Sequence, residues 1–297
     1  MTKKAGRRLR DRFALKNHLV KEALAEFLGT FILIALGCGC VAQSVLSRGA
    51  FGGAPVISIG FSMAVTIGIY VAGGVSGGHI NPAVTFALCL AGKVKWIKFP
   101  IYTIAQCLGA FVGAAVVFGI NYDALMDYTG GEFNVTGPKA TALIFATYPA
   151  EYLTPINGFA DQVMSTAILL LGIFAIFDEG NLRVPKGLEP IAVGLLILLL
   201  TSSLAMNAGC AMNPARDIAP RIFSYMAGWG PEVFTAGNNW WWVPIVAPML
   251  GGALGAVLYM LFIELHHPPQ NEGAKHGQHE LTNMEEEKWF QKEQMAL

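Results

Sequence analysis

The chain has 297 residues, of which 54% are hydrophobic and only 13% charged, and its mean hydropathy is +0.50. Ordinary soluble domains have about 25% charged residues, so this composition excludes a soluble globular protein and indicates a membrane protein. The 20 basic residues balance the 20 acidic ones, and this neutrality predicts no nucleic-acid partner.

The first element is a basic tail, residues 1–19. Within its first 16 residues there are seven Lys or Arg side chains and a single acid, Asp11. No apolar stretch of the kind found in signal peptides precedes these charges, and positive charge accumulates on the cytoplasmic side of membrane proteins. We therefore expect a cytoplasmic N-terminal tail.

Six long apolar segments follow, and each is close to the roughly 20 residues that a helix needs to cross a bilayer. They cover residues 20–46, 55–75, 99–120, 158–177, 188–206 and 240–265. The connection before the third segment contains Lys93, Lys95 and Lys98, which place it inside. Residues 121–157 contain four acids and one Lys, which place them outside. Six crossings then return the polar tail, residues 267–297, to the cytoplasm.

The two halves of the chain, residues 20–120 and 158–266, repeat each other. The first contains "GGHINPAVT" at residues 77–85 and the second "GCAMNPARD" at residues 209–217. Each half has three long apolar segments, and an odd number of crossings forces the second half to be inserted upside down. Inverted repeats of this kind are typical of transport proteins.

Each motif marks the start of a helix too short to cross the bilayer. Asn is a preferred N-cap and Pro is favoured at the first helical position; the nine residues from Pro82 to Leu90 make a helix of about 13.5 Å. The motif residues are Asn81, Pro82, Ala83, Asn213, Pro214 and Ala215. The glycines before them, which we expect to let the backbone run extended, are Gly73, Gly74, Gly77, Gly78 and Gly209.

Two such half-helices, entering from opposite faces, predict a water-filled pore, because non-helical backbone at membrane depth is tolerated only against protein or water. Their N-termini carry partial positive charge, which opposes a cation at the centre. The amides of Asn81 and Asn213 can donate hydrogen bonds to a passing oxygen. Arg216 lies at membrane depth, where a guanidinium is costly and indicates a functional site.

The motifs that carry a family resemblance are the paired Asn-Pro-Ala motifs, "AEFLGTF" in the first segment and "NPARD" in the second half. Through them the chain resembles the major intrinsic proteins, and specifically their aquaglyceroporin branch, over residues 20–266. "LIFATYPAEYL", residues 143–153, is similar to the vertebrate aquaporin-9 type within that branch. The resemblance implies an all-α membrane protein with six transmembrane helices and two re-entrant half-helices in an inverted repeat. It also implies a homotetramer with a pore in each subunit.

The resemblance further implies a narrow selectivity filter. The residues expected to form it are Phe61, Thr201, Gly209, Cys210 and Arg216, and those expected to support the pore are Glu26, Gln162, His79 and Asp217. Many glycerol channels have an aromatic side chain where this chain has Cys210, which suggests a wider filter. Gln162 stands where the family often has Glu, so it keeps the hydrogen bonding and loses a charge.

The expected function is a passive channel in the plasma membrane for water, glycerol and other small neutral solutes, including urea and larger polyols, that excludes protons and ions. An ion-coupled secondary transporter is the alternative, since Glu26 is a carboxylate within the membrane. A scaffold or adhesion protein would give no reason for Arg216 at depth, and nothing in the sequence resembles an enzyme's nucleophile and base.

Three smaller features complete these expectations. Asn134 begins an "NVT" glycosylation sequon in the predicted outer loop. The five cysteines lack metal-type or disulfide spacing, and most are expected to pack as small apolar residues. His266, His267, His276 and His279 belong to a polar tail rather than a metal site. We expect no cofactor and no bound metal.

Overall fold

A computed structural model describes residues 14–268, and within that range it contains ten α-helices. They are α1 (His18–Leu46), α2 (Ala54–Ser76), α3 (Pro82–Leu90), α4 (Lys98–Ile120), α5 (Tyr122–Thr129), α6 (Pro155–Phe177), α7 (Glu189–Leu204), α8 (Pro214–Ser224), α9 (Glu232–Asn239) and α10 (Val243–Phe262). The expectations for residues 1–13 and 269–297, including two of the tail histidines, lie outside the described part of the chain.

The six long apolar segments are helices, which confirms the all-α membrane fold expected from the sequence. Those in α1, α2, α4, α6 and α10 are long and apolar enough to cross a membrane. The remaining one, α7, is apolar but has 16 residues, or about 24 Å of helix. The fourth segment begins at Pro155, three residues before the position expected for it.

The connections contain more structure than their polar composition indicates. The connection between α4 and α6 forms the short helix α5 and a 3₁₀ turn at Ala142–Ile144, and α9 precedes the last span. The expectation of extended backbone at the glycines is wrong. Gly73 and Gly74 lie inside α2, while Gly77 turns in the left-handed region with φ 97°.

The helices pack as two equivalent sets. In the first half α1 lies against α2 and α4, and in the second half α6 lies against α7 and α10 in the same way. Each half-helix also packs on the last span of the opposite half, α8 against α4 and α3 against α10. The spans α2 and α7 also pack against each other across the halves, so the two halves are interlocked both by the half-helices and by this pair.

Glycines permit the closest helix approaches at equivalent places in the two halves. A Cβ added to Gly109 in α4 would overlap the carbonyl oxygen of Phe27 in α1, and one added to Gly251 in α10 would overlap that of Val163 in α6. Small residues allow such backbone contact in membrane helices, and both glycines begin stretches with small residues four apart, "GAFVG" at 109–113 and "GGALG" at 251–255. These contacts fix how near the spans stand to the axis where the half-helices meet.

Candidate functional site

Two half-helix starts form the centre of the molecule. As expected, α3 begins at Pro82 and ends at Leu90. Asn81 caps it, with its side-chain Oδ1 accepting a hydrogen bond from the Ala83 N–H at 2.8 Å. Asn213 caps α8 in the same way and accepts from the Ala215 N–H at 3.1 Å. Pro at the first position of each helix supplies the φ that a helix needs and removes an N–H that would be unpaired.

The same two Asn side chains tie the loops to each other. The Asn81 Nδ2 donates to the carbonyl of Met212 at 2.9 Å, and the Asn213 Nδ2 donates to the carbonyl of Ile80 at 2.8 Å. An amide nitrogen carries two hydrogens, so each Asn uses one on the opposite loop and has a second to offer. Both side chains line the central cavity, where that second hydrogen can reach a passing oxygen.

The loop backbone before each Asn turns sharply in the same manner. Ile80 and Met212 both lie in the left-handed region, with φ 45° and 50°. Cys210, with φ 51°, occupies the place that Gly78, with φ 65°, has in the first loop. A non-glycine residue in this region costs about 1–2 kcal/mol, so the hydrogen bonds must offset strain at one such position in the first loop and at two in the second.

A cavity of about 680 Å³ passes between the halves beside these loops. Its lining reaches Lys93 and Phe177 at one end and Pro149 and Asn207 at the other, with Asn81 between them. One part of its wall consists of apolar side chains from α2, α3, α6 and α7. Polar groups come mainly from the two loops, so one side of the passage is apolar and the other offers hydrogen bonds.

Arg216 and Phe61 meet at the wall of this passage. The Arg216 Cζ lies 4.9 Å from the centroid of the Phe61 ring, and its Nη1 donates to the Phe145 carbonyl at 3.0 Å. Arg216 is only 7% exposed, yet it lines the cavity. Its remaining donors are therefore available to a solute in the passage.

Thr201 and Cys210 complete the wall at this level, and Gly209 adjoins them. The Thr201 hydroxyl donates to the Ile197 carbonyl within α7 at 2.8 Å, and the Cys210 thiol donates to the Leu200 carbonyl at 3.8 Å. Both side chains thus satisfy their own donors within the protein. They present a hydroxyl oxygen and a sulfur to the passage, without a bulky ring.

Glu26, fully buried in α1, holds the first loop in place. Its carboxylate accepts four hydrogen bonds, two from loop backbone and two from side chains. The donors are the N–H groups of His79 and Ile80, at 2.9 and 2.7 Å, the Ser76 hydroxyl and the Gln106 amide. A carboxylate has about four acceptor positions, so these hydrogen bonds use that capacity and give Glu26 a structural task in the loop.

His79 and Gln162 also contact the loops. The His79 Nδ1 lies 3.1 Å from the Thr85 hydroxyl, its ring packs edge-on against Tyr102 at 5.1 Å, and it lines the cavity. Gln162 accepts from the Ala211 N–H of the second loop at 2.9 Å. In position it corresponds to Glu26, with one loop donor instead of two.

Asp217 is fully buried and does not line the cavity. It anchors the segment after the 3₁₀ turn, which includes Phe145, the residue whose carbonyl accepts from Arg216. It accepts from the Thr147 N–H at 2.8 Å and forms a buried ion pair with Arg221 at 2.7 Å. Arg221 in turn donates to the carbonyls of Thr147 and Val233. Sequence reasoning missed Arg221 and Thr147; the Asp–Arg spacing of four residues on one helix was the available signal.

The end of the cavity near Lys93 is bounded by contacts to the end of the described chain. The Lys93 Nζ lies 2.6 Å from the Glu264 carboxylate. His267 lies 2.6 Å from Asp178, the residue that follows α6. Burial raises the pKa of the Asp178 carboxyl, but hydrogen bonds from His267 and Tyr259 outweigh it, so that this pKa is below its ordinary value.

Asn134 lies in the connection between α4 and α6, after α5 and before the 3₁₀ turn. It is half-buried beside a bridge to Ala140, and its Nδ2 donates weakly to the Glu132 carbonyl at 3.4 Å. The hydroxyl of Thr136, the third sequon residue, donates to Glu232 at 2.9 Å. The sequon therefore lies in a folded surface loop.

Comparison with known proteins gives consistent results. The family model described as "Major intrinsic protein" matches residues 14–259. Human (Homo sapiens) "Aquaporin-9" is 62% identical over 275 residues, covering 93% of this chain and 93% of that protein. Human "Aquaporin-10" is 50% identical over 274 residues, covering 91% of each.

A solved structure shares both fold and sequence with this chain. It is the X-ray structure of the aquaglyceroporin from Plasmodium falciparum, which superposes with a TM-score of 0.75 at 33% sequence identity. The match covers 82% of this chain and 97% of that one. At this identity and coverage the likeness extends to the whole helical core.

Proposed function

We propose that the cavity between the two half-helices is a conducting path which excludes protons and ions. This chain belongs to the major intrinsic protein family, and the proposal starts from that membership. The chain is a passive channel for water, glycerol and other small neutral solutes and is not an enzyme. One observation carries the assignment of the path. Asn81 and Asn213 cap helices that start at the same passage, and each keeps an amide hydrogen for it.

Exclusion of cations follows from the orientation of the half-helices. Each N-terminus carries a partial charge of about +0.5, and both point into the passage. An ion entering would lose hydration that the apolar wall cannot replace, at a cost of several kcal/mol. A proton would need an unbroken chain of similarly oriented waters. Donation from the two Asn amides fixes the oxygen of the central molecule as an acceptor and interrupts that chain.

Selection among neutral solutes is assigned to the level of Arg216. A polyol has hydroxyls on one side and carbon on the other when it is extended. Arg216 can donate to the hydroxyls, while the ring of Phe61 lies against the carbons. Because Cys210 and Thr201 have small side chains, this filter has room for urea and for polyols larger than glycerol.

The chain's membrane setting extends this proposal. The protein is a multi-pass membrane protein, and we place it in the plasma membrane with both termini in the cytoplasm. In that orientation Lys93 lies at the inner mouth and Asn134 lies outside, where its sequon is accessible to glycosylation. We further propose a homotetramer with one path in each subunit.

Purified protein in proteoliposomes tests the channel against the coupled-transporter alternative. Water, glycerol and urea fluxes are measured by stopped-flow light scattering, with and without an imposed pH or sodium gradient. We expect fluxes that follow the solute gradient alone and that never accumulate solute. Uptake that requires or follows an ion gradient would instead identify a coupled transporter, and Glu26 would then be the first coupling site to test.

A companion variant tests the site. Arg216→Ala removes the donors from the filter and should change the ratio of glycerol to water flux and weaken the exclusion of ions. Arg183→Ala, which removes an exposed Arg from the connection after α6, is the matched control. Equal flux ratios in the two variants would show that the filter lies elsewhere.

A further inference from the structure

The two re-entrant loops are supported by different chemistry. In the first, one carboxylate, Glu26, accepts from both loop N–H groups, those of His79 and Ile80. In the second, Gln162 accepts from the Ala211 N–H alone. The second loop thus has a neutral amide where the first has an anion, although it carries the strained residues Cys210 and Met212.

The amide of Gln162 creates an ambiguity that a carboxylate does not have. A half-turn of the amide would exchange its oxygen for its nitrogen and place an N–H against the Ala211 N–H, two donors facing each other. The loop is held only when Oε1 faces it. Some other group must therefore decide which way the amide points.

Asp161, the preceding residue on α6, is that group. It is half-buried, and its Oδ2 accepts from the Gln162 Nε2 at 3.0 Å. Its Oδ1 accepts from the Nδ2 of Asn207 at 3.1 Å. Because both carboxylate oxygens only accept, they select the orientation of both amides at once. In the case of Gln162, that orientation turns Oε1 toward Ala211.

Asn207 extends the connection to the outer mouth. Once its Nδ2 is held by Asp161, its Oδ1 faces the Tyr152 hydroxyl, which donates to it at 3.1 Å, and its carbonyl accepts from the Ala150 N–H at 2.8 Å. Asn207 itself lines the cavity. A single carboxylate therefore holds both the beginning of the second loop and, through Gln162, the residue that follows Cys210.

We propose that Asp161 is a positioning residue for solute selectivity: it orients the Gln162 and Asn207 side chains and thereby holds the second re-entrant loop, with Cys210, at its working distance from the opposite wall. In the first loop the carboxylate is at the position that contacts the loop, Glu26. In the second loop that position is Gln162, and the carboxylate is at the preceding residue, Asp161. This inference rests on the proposed function only in placing Cys210 at the filter.

Single substitutions at the pair should each break the hydrogen bonding in a defined way. Asp161→Asn leaves one acceptor for two donors, so either Gln162 or Asn207 faces another N–H. Gln162→Glu places two carboxylates side by side, which repel. Glycerol must contact the second loop as it passes, whereas water makes fewer contacts with it. We therefore expect each single variant to lower the glycerol-to-water permeability ratio by about threefold.

The exchange variant, Asp161→Asn combined with Gln162→Glu, should restore the ratio to the wild-type value. The carboxylate introduced at position 162 would accept from the Ala211 N–H and from the Nδ2 of the amide introduced at position 161. The Oδ1 of that amide would accept from Asn207. Every donor again has an acceptor, and the net charge is unchanged. A residue that acts only through general folding would give additive losses in place of this recovery.

The measurement is stopped-flow permeability to water and glycerol for the four proteins in matched proteoliposomes. After the flux through protein-free vesicles is subtracted, the ratio does not depend on how much protein inserts, so a variant that folds poorly still reports on selectivity. Asp127→Asn, which removes an exposed outer carboxylate, is the control and should keep the wild-type ratio. An unchanged ratio in Asp161→Asn, or an exchange variant no better than the singles, would overturn the inference.

Failure of the proposed function would look different. In that case the wild-type protein itself would show gradient-dependent uptake, or Arg216→Ala would leave its ratio unchanged. A passive, Arg216-dependent wild-type channel in which Asp161→Asn keeps the ratio contradicts the role of Asp161 alone.

Discussion

At the residue scale, we propose that the side chain of Cys210 sets the width of the passage beside Arg216. Its backbone is left-handed and its thiol points to the Leu200 carbonyl, so a larger side chain there must extend into the cavity. We expect Cys210→Phe to reduce the flux of polyols larger than glycerol first, then glycerol, and water least. Stopped-flow permeability to a polyol series checks this. Equal loss of all fluxes would contradict the assignment of Cys210 to the filter.

The thiol of Cys210 also provides a chemical test of its position. A mercurial that bonds to a thiol lining the passage should block water and glycerol flux, and Cys210→Ser should be resistant. Cys38 and Cys89 are buried as well, so Cys38→Ser and Cys89→Ser are the matched controls and should remain sensitive. Block that persists in Cys210→Ser would locate the sensitive thiol elsewhere.

At the element scale, α8 depends on the buried pair that its own sequence supplies. Asp217 and Arg221 are both fully buried, and removing one partner of such a pair typically costs about 3–5 kcal/mol because the other charge is left uncompensated. We therefore expect Arg221→Met to lower the thermal unfolding temperature of the detergent-solubilised protein strongly. Fluorescence-detected unfolding measures it.

The control variant removes an Arg that is exposed, so that the loss of a positive charge can be distinguished from the loss of a buried ion pair. Arg183→Met removes an exposed Arg and should leave the unfolding temperature nearly unchanged, because surface charges contribute about 0–1 kcal/mol. Combining Arg221→Met with Asp217→Leu removes both charges, so it should recover part of the loss. Equal unfolding temperatures for Arg221→Met and the wild type would show that the pair does not stabilise α8.

How far the sequence predicts each element depends on how local its cause is. The start of α3 follows from capping by Asn81 and from Pro82, two neighbouring residues, and the sequence predicts it to the residue. The expectation for Gly73 and Gly74 is wrong because glycine permits unusual φ without requiring it, and both continue the helix α2. The helix α5 escapes prediction because a segment of eight residues, little more than two turns, is too short for its apolar periodicity to distinguish it from a loop.

The site shows the same division. Arg216 and the paired Asn residues can be identified because their types are improbable at membrane depth. The partners that hold them cannot. Asp217 contacts Thr147, 70 residues earlier, and Arg216 donates to a backbone carbonyl, that of Phe145. Any residue type has a carbonyl, so no side-chain pattern in the sequence marks that acceptor.

At the scale of the whole molecule, the inverted repeat predicts paired sensitivities. Gly109 and Gly251 are equivalent, and a Cβ at either would overlap a carbonyl oxygen of the neighbouring span, from Phe27 or Val163. Gly109→Ala and Gly251→Ala should therefore destabilise the protein by similar amounts, about 1–3 kcal/mol for overpacking. The unfolding temperature in detergent measures both.

Gly119→Ala is the matched control, since no heavy atom lies within 4 Å of an added Cβ there, and alanine favours helix over glycine by about 1 kcal/mol. It should leave the unfolding temperature unchanged or raise it. Because α4 supports α8 and α10 supports α3, each destabilising variant should also displace the half-helix of the opposite half and reduce flux through the shared passage. If Gly109→Ala were as stable as Gly119→Ala while Gly251→Ala was destabilised, the halves would not be mechanically equivalent.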